Sequence, residues 1–123
     1  MDIEVDGDVV ERQELLNGTQ TLALEAEGGG WTVSALVTWN RGLDVRPPEG
    51  DITLTCAQRG EIFATVTSVR AGEASTDEGL LVLRVGYVVE GGTGDFEGVT
   101  GDAEATLEMA DDRFKGVWRL RLG

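Results

Sequence analysis

Residues 91–101 read Gly-Gly-Thr-Gly-Asp-Phe-Glu-Gly-Val-Thr-Gly: five glycines around one aromatic, set between two strand-like runs. Glycine reaches positive φ and allows close backbone approach, so this density predicts a compact loop that turns several times. It reads as an Ω-like loop closing the corner of a β-barrel, with Phe96 turned inward. It is not a phosphate cradle. The Lys-Ser/Thr ending of a P-loop is missing, the glycine spacing differs from the dinucleotide fingerprint, and Asp95 and Glu97 would repel phosphate.

Outward from this loop the periodicity is two almost everywhere, the signature of half-buried strands. On the C-terminal side, residues 102–109 place Ala103, Ala105, Leu107 and Met109 on one face. After a turn at 110–113, residues 114–122 do the same with Phe114, Gly116, Trp118, Leu120 and Leu122. On the N-terminal side, residues 80–90 set Leu81, Leu83, Val85, Tyr87 and Val89 against Val82, Arg84, Gly86, Val88 and Glu90. Strands are also expected at 19–27, 31–40, 51–56 and 61–69, the first two joined by the Gly28-Gly29-Gly30 turn. In 61–69 the inward face is ambiguous, because Phe63, Thr65, Thr67 and Val69 oppose Ile62, Ala64, Val66 and Ser68. Segments 42–50, with Pro47-Pro48, and 70–79 read as loops.

Seven strands are therefore clear. Residues 1–17 leave two readings: a first strand around Ile3, Val5, Val9 and Val10, or a lid containing a short helix over 8–16 capped by Asp8. If a lid, Arg12, Gln13 and Glu14 would close over a bound molecule. The expected fold is all-β, one domain over residues 1–123: an antiparallel up-and-down β-barrel of about eight strands, its core in 18–123. A sandwich is the alternative. Closure is preferred because it removes strand edges and makes room for one small ligand.

The chain carries 23 acidic and 10 basic side chains, a net charge of −13. That argues against nucleic acid or an anionic membrane as partner, since both need a basic footprint. No apolar run approaches a membrane span, and the N-terminus lacks a signal-peptide pattern, so a cytoplasmic protein is expected. Histidine is absent, which removes Ser-His-Asp and Cys-His catalysis and His-ligated zinc. The single cysteine, Cys56, builds neither an intrachain disulfide nor a thiolate metal site, and reads as a small core residue. No cofactor or metal is expected.

At the glycine loop the sequence resembles the allene oxide cyclase-like and dirigent-like small β-barrels, in which a Gly-Gly-Thr-Gly-x-Phe-x-Gly-x-x-Gly loop precedes the last hairpin. Residues 91–101 match that pattern throughout, and 114–122 fit the final strand. Within this group the chain is most similar to the spiro-forming Diels–Alder (4+2) cyclases of actinobacterial tetramate and tetronate polyketide pathways. The compact length, the Asp51-Ile52-Thr53-Leu54 strand and the Trp118-x-Leu120 closing face carry that likeness. Histidine, used by some members to steer a tetramate, has no counterpart here. The resemblance implies a cofactor-free cyclase acting on a linear hydrophobic polyketide, and a homodimer.

Such a reaction needs no base, nucleophile or metal, only a polyene held in one folded conformer. The apolar faces propose the lining: Trp31, Val33, Val37, Trp39, Leu54, Tyr87, Met109, Trp118 and Leu120. The resemblance places Trp118 in the pocket through the final strand, and Tyr87 adds a hydrogen-bond donor. Trp31 and Trp39 lie near opposite strand ends, so one borders a pocket mouth while the other plugs the bottom or packs a dimer interface. Arg84, alone in the most apolar strand, either faces outward or anchors an acidic head group. Each lining residue has an ordinary alternative as core packing. The function classes left open are cyclase, hydrophobic binding barrel and structural barrel with a filled interior.

Overall fold

The computed structural model describes residues 1–14, 19–40, 48–71, 80–110 and 112–123. The loops expected at 42–50 and 70–79 lie largely outside the described residues, as do residues 15–17 and the side chain of Glu14.

Eight strands follow in chain order: β1 (Asp2–Glu14), β2 (Thr19–Gly28), β3 (Trp31–Asn40), β4 (Glu49–Cys56), β5 (Gly60–Ala71), β6 (Leu80–Gly92), β7 (Gly101–Ala110) and β8 (Arg113–Leu122). Each pairs antiparallel with its sequence neighbours, and β1 also pairs with β8, so the sheet closes as an up-and-down barrel. That closure decides between barrel and sandwich.

Residues 2–14 are strand, hydrogen-bonded to β2 on one side and β8 on the other, so the helical lid does not form over them. A bulge between Val9 and Glu11 explains the irregular pattern: Val9 points inward and Val10 is left exposed. Arg12 and Gln13 are exposed on β1, paired with Leu22 and Thr21. A second bulge, between Val66 and Ser68, resolves the ambiguous β5. Ile62, Ala64 and Val66 face inward, and the slip of one residue lets Val69 pack against the core as well.

The interior is filled from all eight strands by aliphatic and aromatic side chains in one continuous core. An eight-stranded barrel has an interior just wide enough for this. On β7 the inward residues Ala103 and Ala105 are small, and their neighbours are large. Ala103 lies between Tyr87 and Leu120, and Ala105 between Val85 and Trp118.

The β2–β3, β4–β5 and β6–β7 connections share one barrel end with both chain termini. There the glycine loop makes a short 3-10 turn, Gly94–Phe96, and buries Phe96 under the barrel. Phe96 packs on Trp31 with ring centroids 5.6 Å apart, and the Arg59 guanidinium sits 5.0 Å from its centroid. The loop is fastened to the β4–β5 turn by backbone bonds, Asp95 N–H to Arg59 O at 2.7 Å and Thr93 N–H to Glu61 O at 2.9 Å. Two glycines permit this approach. A Cβ on Gly60 would overlap the Thr93 carbonyl oxygen, and one on Gly94, at φ +59°, would overlap that of Arg59.

Candidate functional site

The inward faces of β6 and β8 carry the two buried side-chain polar atoms that lack a partner. Tyr87 enters from β6 and Trp118 from β8. The alternation of each strand sends both side chains inward, and the alanines of β7 leave room between them. Trp118 also needs the glycine two residues before it. Its ring extends along β8 over Gly116, where a side chain would collide with it.

Both rings are buried, Tyr87 to 2% and Trp118 to 0% exposure, yet neither the Tyr87 hydroxyl nor the Trp118 Nε1–H has a hydrogen-bond partner in the protein. Leaving one such group unpaired costs about 1–3 kcal/mol, so two together are uncommon in a well-packed core. Burial pushes the Tyr87 pKa well above its ordinary value, because the phenolate would lose its hydration. The Trp118 indole N–H lies near enough to oppose that shift, though the two atoms do not meet hydrogen-bonding geometry. Tyr87 is therefore a neutral donor, not a base.

Among the described residues no charged side chain is buried, and the other buried polar residues are Thr19 and Gln20. Among the described residues, therefore, no ionised acid–base pair lies in the interior. Groups of three or more His, Cys, Asp or Glu suited to a metal ion do not occur among the described residues either. What remains is a packed apolar interior with two unpartnered donors. A carbonyl oxygen, with two lone pairs, matches them.

Of the residues proposed from sequence, Trp118, Tyr87, Leu54, Met109, Leu120, Val33, Val37 and Trp39 are all buried in the one core. Trp31 is half-buried at the edge of that core, packed on Phe96, where it helps plug the end that also carries the termini. Arg84 does not join them. It is exposed on the outer face of β6, as its position between inward Leu83 and Val85 requires. Arg12 and Gln13 likewise lie on the outside. Cys56 is partly buried against the core. Gln20 was not singled out by the sequence reading. It continues the Leu22, Leu24 and Ala26 face of β2 and pairs with Trp39, so the period-two signal for it was present.

Trp118 and Met109 are 0% exposed, so no water-sized void adjoins them, and side chains must move for a ligand to reach Trp118. The chain matches no protein-family model, no curated protein and no solved structure.

Proposed function

We propose that the barrel takes up a linear, hydrophobic, carbonyl-bearing polyketide and catalyses its intramolecular (4+2) cycloaddition to a spirocycle, without a cofactor. The tetramates and tetronates implied by the sequence resemblance are the substrate class. The observation that carries the reading is the pair of unpartnered donors, Tyr87 Oη and Trp118 Nε1, in an apolar interior.

The reaction is an isomerisation: two carbon–carbon σ bonds form, three π bonds become one, and no proton is transferred. An interior in which no described charged side chain is buried suits it. Holding diene and dienophile in contact offsets roughly 0.5–1.5 kcal/mol for each torsion restrained in advance. Five or six such torsions amount to several kcal/mol, on the order of a 10³-fold acceleration. Hydrogen bonds from Tyr87 and Trp118 to a carbonyl conjugated with the dienophile would polarise it and add to that.

The test is incubation with linear tetramate and tetronate polyenes that carry an internal diene and dienophile, followed by chromatography with mass detection. One stereoisomer of unchanged mass, formed faster than without protein and more slowly by Tyr87→Phe and Trp118→Phe, supports the cyclase. Ligand binding without conversion leaves a hydrophobic binding barrel. A second reading, a structural barrel with a permanently filled interior, is favoured by the complete burial of Trp118. It predicts no change in tryptophan fluorescence with any of these polyenes.

A further inference from the structure

On the outside of the barrel, Arg70 of β5 and Arg84 of β6 lie directly opposite each other in the strand register, and both are exposed. Like charges placed this way repel. Neither has an ion-pair partner among the described residues, whereas Arg59, Arg113 and Arg121 each hold an aspartate. In a chain with 23 acidic side chains, two arginines side by side without an ion pair among the described residues are a local reversal of the overall charge.

The bulge between Val66 and Ser68 adds a second feature. Successive strand residues normally point to opposite faces, but here Thr67 and Ser68 are both exposed beside Gly86. A Cβ on Gly86 would lie 2.5 Å from Ser68 Oγ and 3.3 Å from Thr67 Oγ1, so the two hydroxyls overhang a spot where β6 has no side chain. These residues line a groove of about 210 Å³ that also includes Asp102, Glu104 and Arg121. Asp102 is occupied by Arg121 at 2.8 Å. Glu104 pairs with Gly86 in the register and has no ion pair among the described residues.

We propose that this groove binds a phosphate-type oxyanion, free phosphate or a phosphate monoester, between the Arg70 and Arg84 guanidiniums and the Thr67 and Ser68 hydroxyls. Two planar forks and two hydroxyl donors can serve more oxygens than a carboxylate has, and two cations balance a dianion. The groove lies on the outer face, its floor includes Val85, Tyr87 and Ala103 of the strands beneath, and the proposal does not depend on the reading given for the interior. The Glu104 carboxylate weakens it by repulsion, and added salt weakens it further because the groove is open to solvent.

Inorganic phosphate and phenyl phosphate are titrated separately into isotopically labelled protein at fixed ionic strength, with chloride as the balancing anion. Backbone amide shifts are the readout. Saturable shifts centred on Thr67, Ser68, Arg84 and Gly86 at or below about 10 mM ligand are expected, and the tighter of the two ligands identifies the source. Arg84→Gln and Arg70→Gln should each weaken binding about tenfold or more, and Glu104→Gln should tighten it. All three positions are on the surface, and unchanged shifts elsewhere verify the fold. Shifts that rise linearly without saturating, or saturable shifts unaltered in the Arg70→Gln/Arg84→Gln double variant, would overturn the proposal.

Discussion

The indole of Trp118 lies over Gly116, two residues earlier on the same strand: a Cβ at Gly116 would come within 2.7 Å of Cη2 and would overlap Cζ3. The glycine is inward-facing and buried, so it is a packing position. Gly116→Ala should destabilise the barrel by about 1–3 kcal/mol through overpacking. In a Trp118→Leu background the same substitution should cost less, because the ring it strikes is gone. Denaturant unfolding of the four proteins in the cycle measures that coupling, and equal costs in both backgrounds would refute the contact.

Tyr87 is the single tyrosine of the chain, so a phenolate absorbance titration reads it alone. The native protein should show no ionisation near the ordinary pKa of 10.0, because burial raises the value. The sign for stability follows from linkage. Above pH 10 the unfolded chain releases this proton and the native chain retains it, so the contribution present below pH 10 is lost as pH rises. Wild type should lose about 1.4 kcal/mol per pH unit more than Tyr87→Phe in that window. Near neutral pH, Tyr87→Phe should be neutral or stabilising, since it removes an unpaired hydroxyl. Marked destabilisation would mean that the hydroxyl has a partner.

Phe96 closes one end of the barrel against Trp31. Phe96→Ala should cost about 3–5 kcal/mol in unfolding free energy, as for other buried aromatics. Arg59→Ala should cost less than about 1 kcal/mol, because its contacts with Phe96 and Asp95 are largely exposed. Comparable losses in thermal and denaturant unfolding would show that Arg59, and not the ring burial, holds the loop.

Gly29 and Gly94 share a φ of +59°, but only Gly94 faces another backbone, the Arg59 carbonyl. Gly29→Ala should cost about 1–2 kcal/mol for the left-handed conformation alone. Gly94→Ala should cost at least about 1 kcal/mol more, since the β4–β5 turn must also shift. Denaturant midpoints of the two variants provide the comparison, and equal values would argue against the backbone contact.

Much of this architecture is legible in the residue pattern. Alternation in 31–40, 102–109 and 114–122 placed those strands and their inward faces, because a closed sheet with a dry interior forces period two on each strand. The glycine loop and inward Phe96 were readable because the turn needs conformations that few other residues adopt. The bulges of β1 and β5 were not. A bulge is a choice between two registers with a neighbouring strand, and Val9-Val10 or Val66-Thr67-Ser68 alone do not state which. The fate of Trp31 and Trp39 was only half legible, since both end the same strand on the same face. Pairing Trp31 with Phe96 required the β6–β7 loop to fold beneath β3.

By itself the sequence determined seven of the eight strands, the apolar faces of all of those but the one over 61–69, the tight loop and a chemistry without histidine. These are local properties, set by side-chain alternation, glycine placement and composition. Only the tertiary structure decided that β1 meets β8, that Arg84 faces outward beside Arg70, and that Tyr87 and Trp118 flank the alanines of β7 with their polar atoms unpaired. Those relationships join residues far apart in the chain. They depend on strand register and barrel closure, which are properties of the whole sheet and not of any one strand.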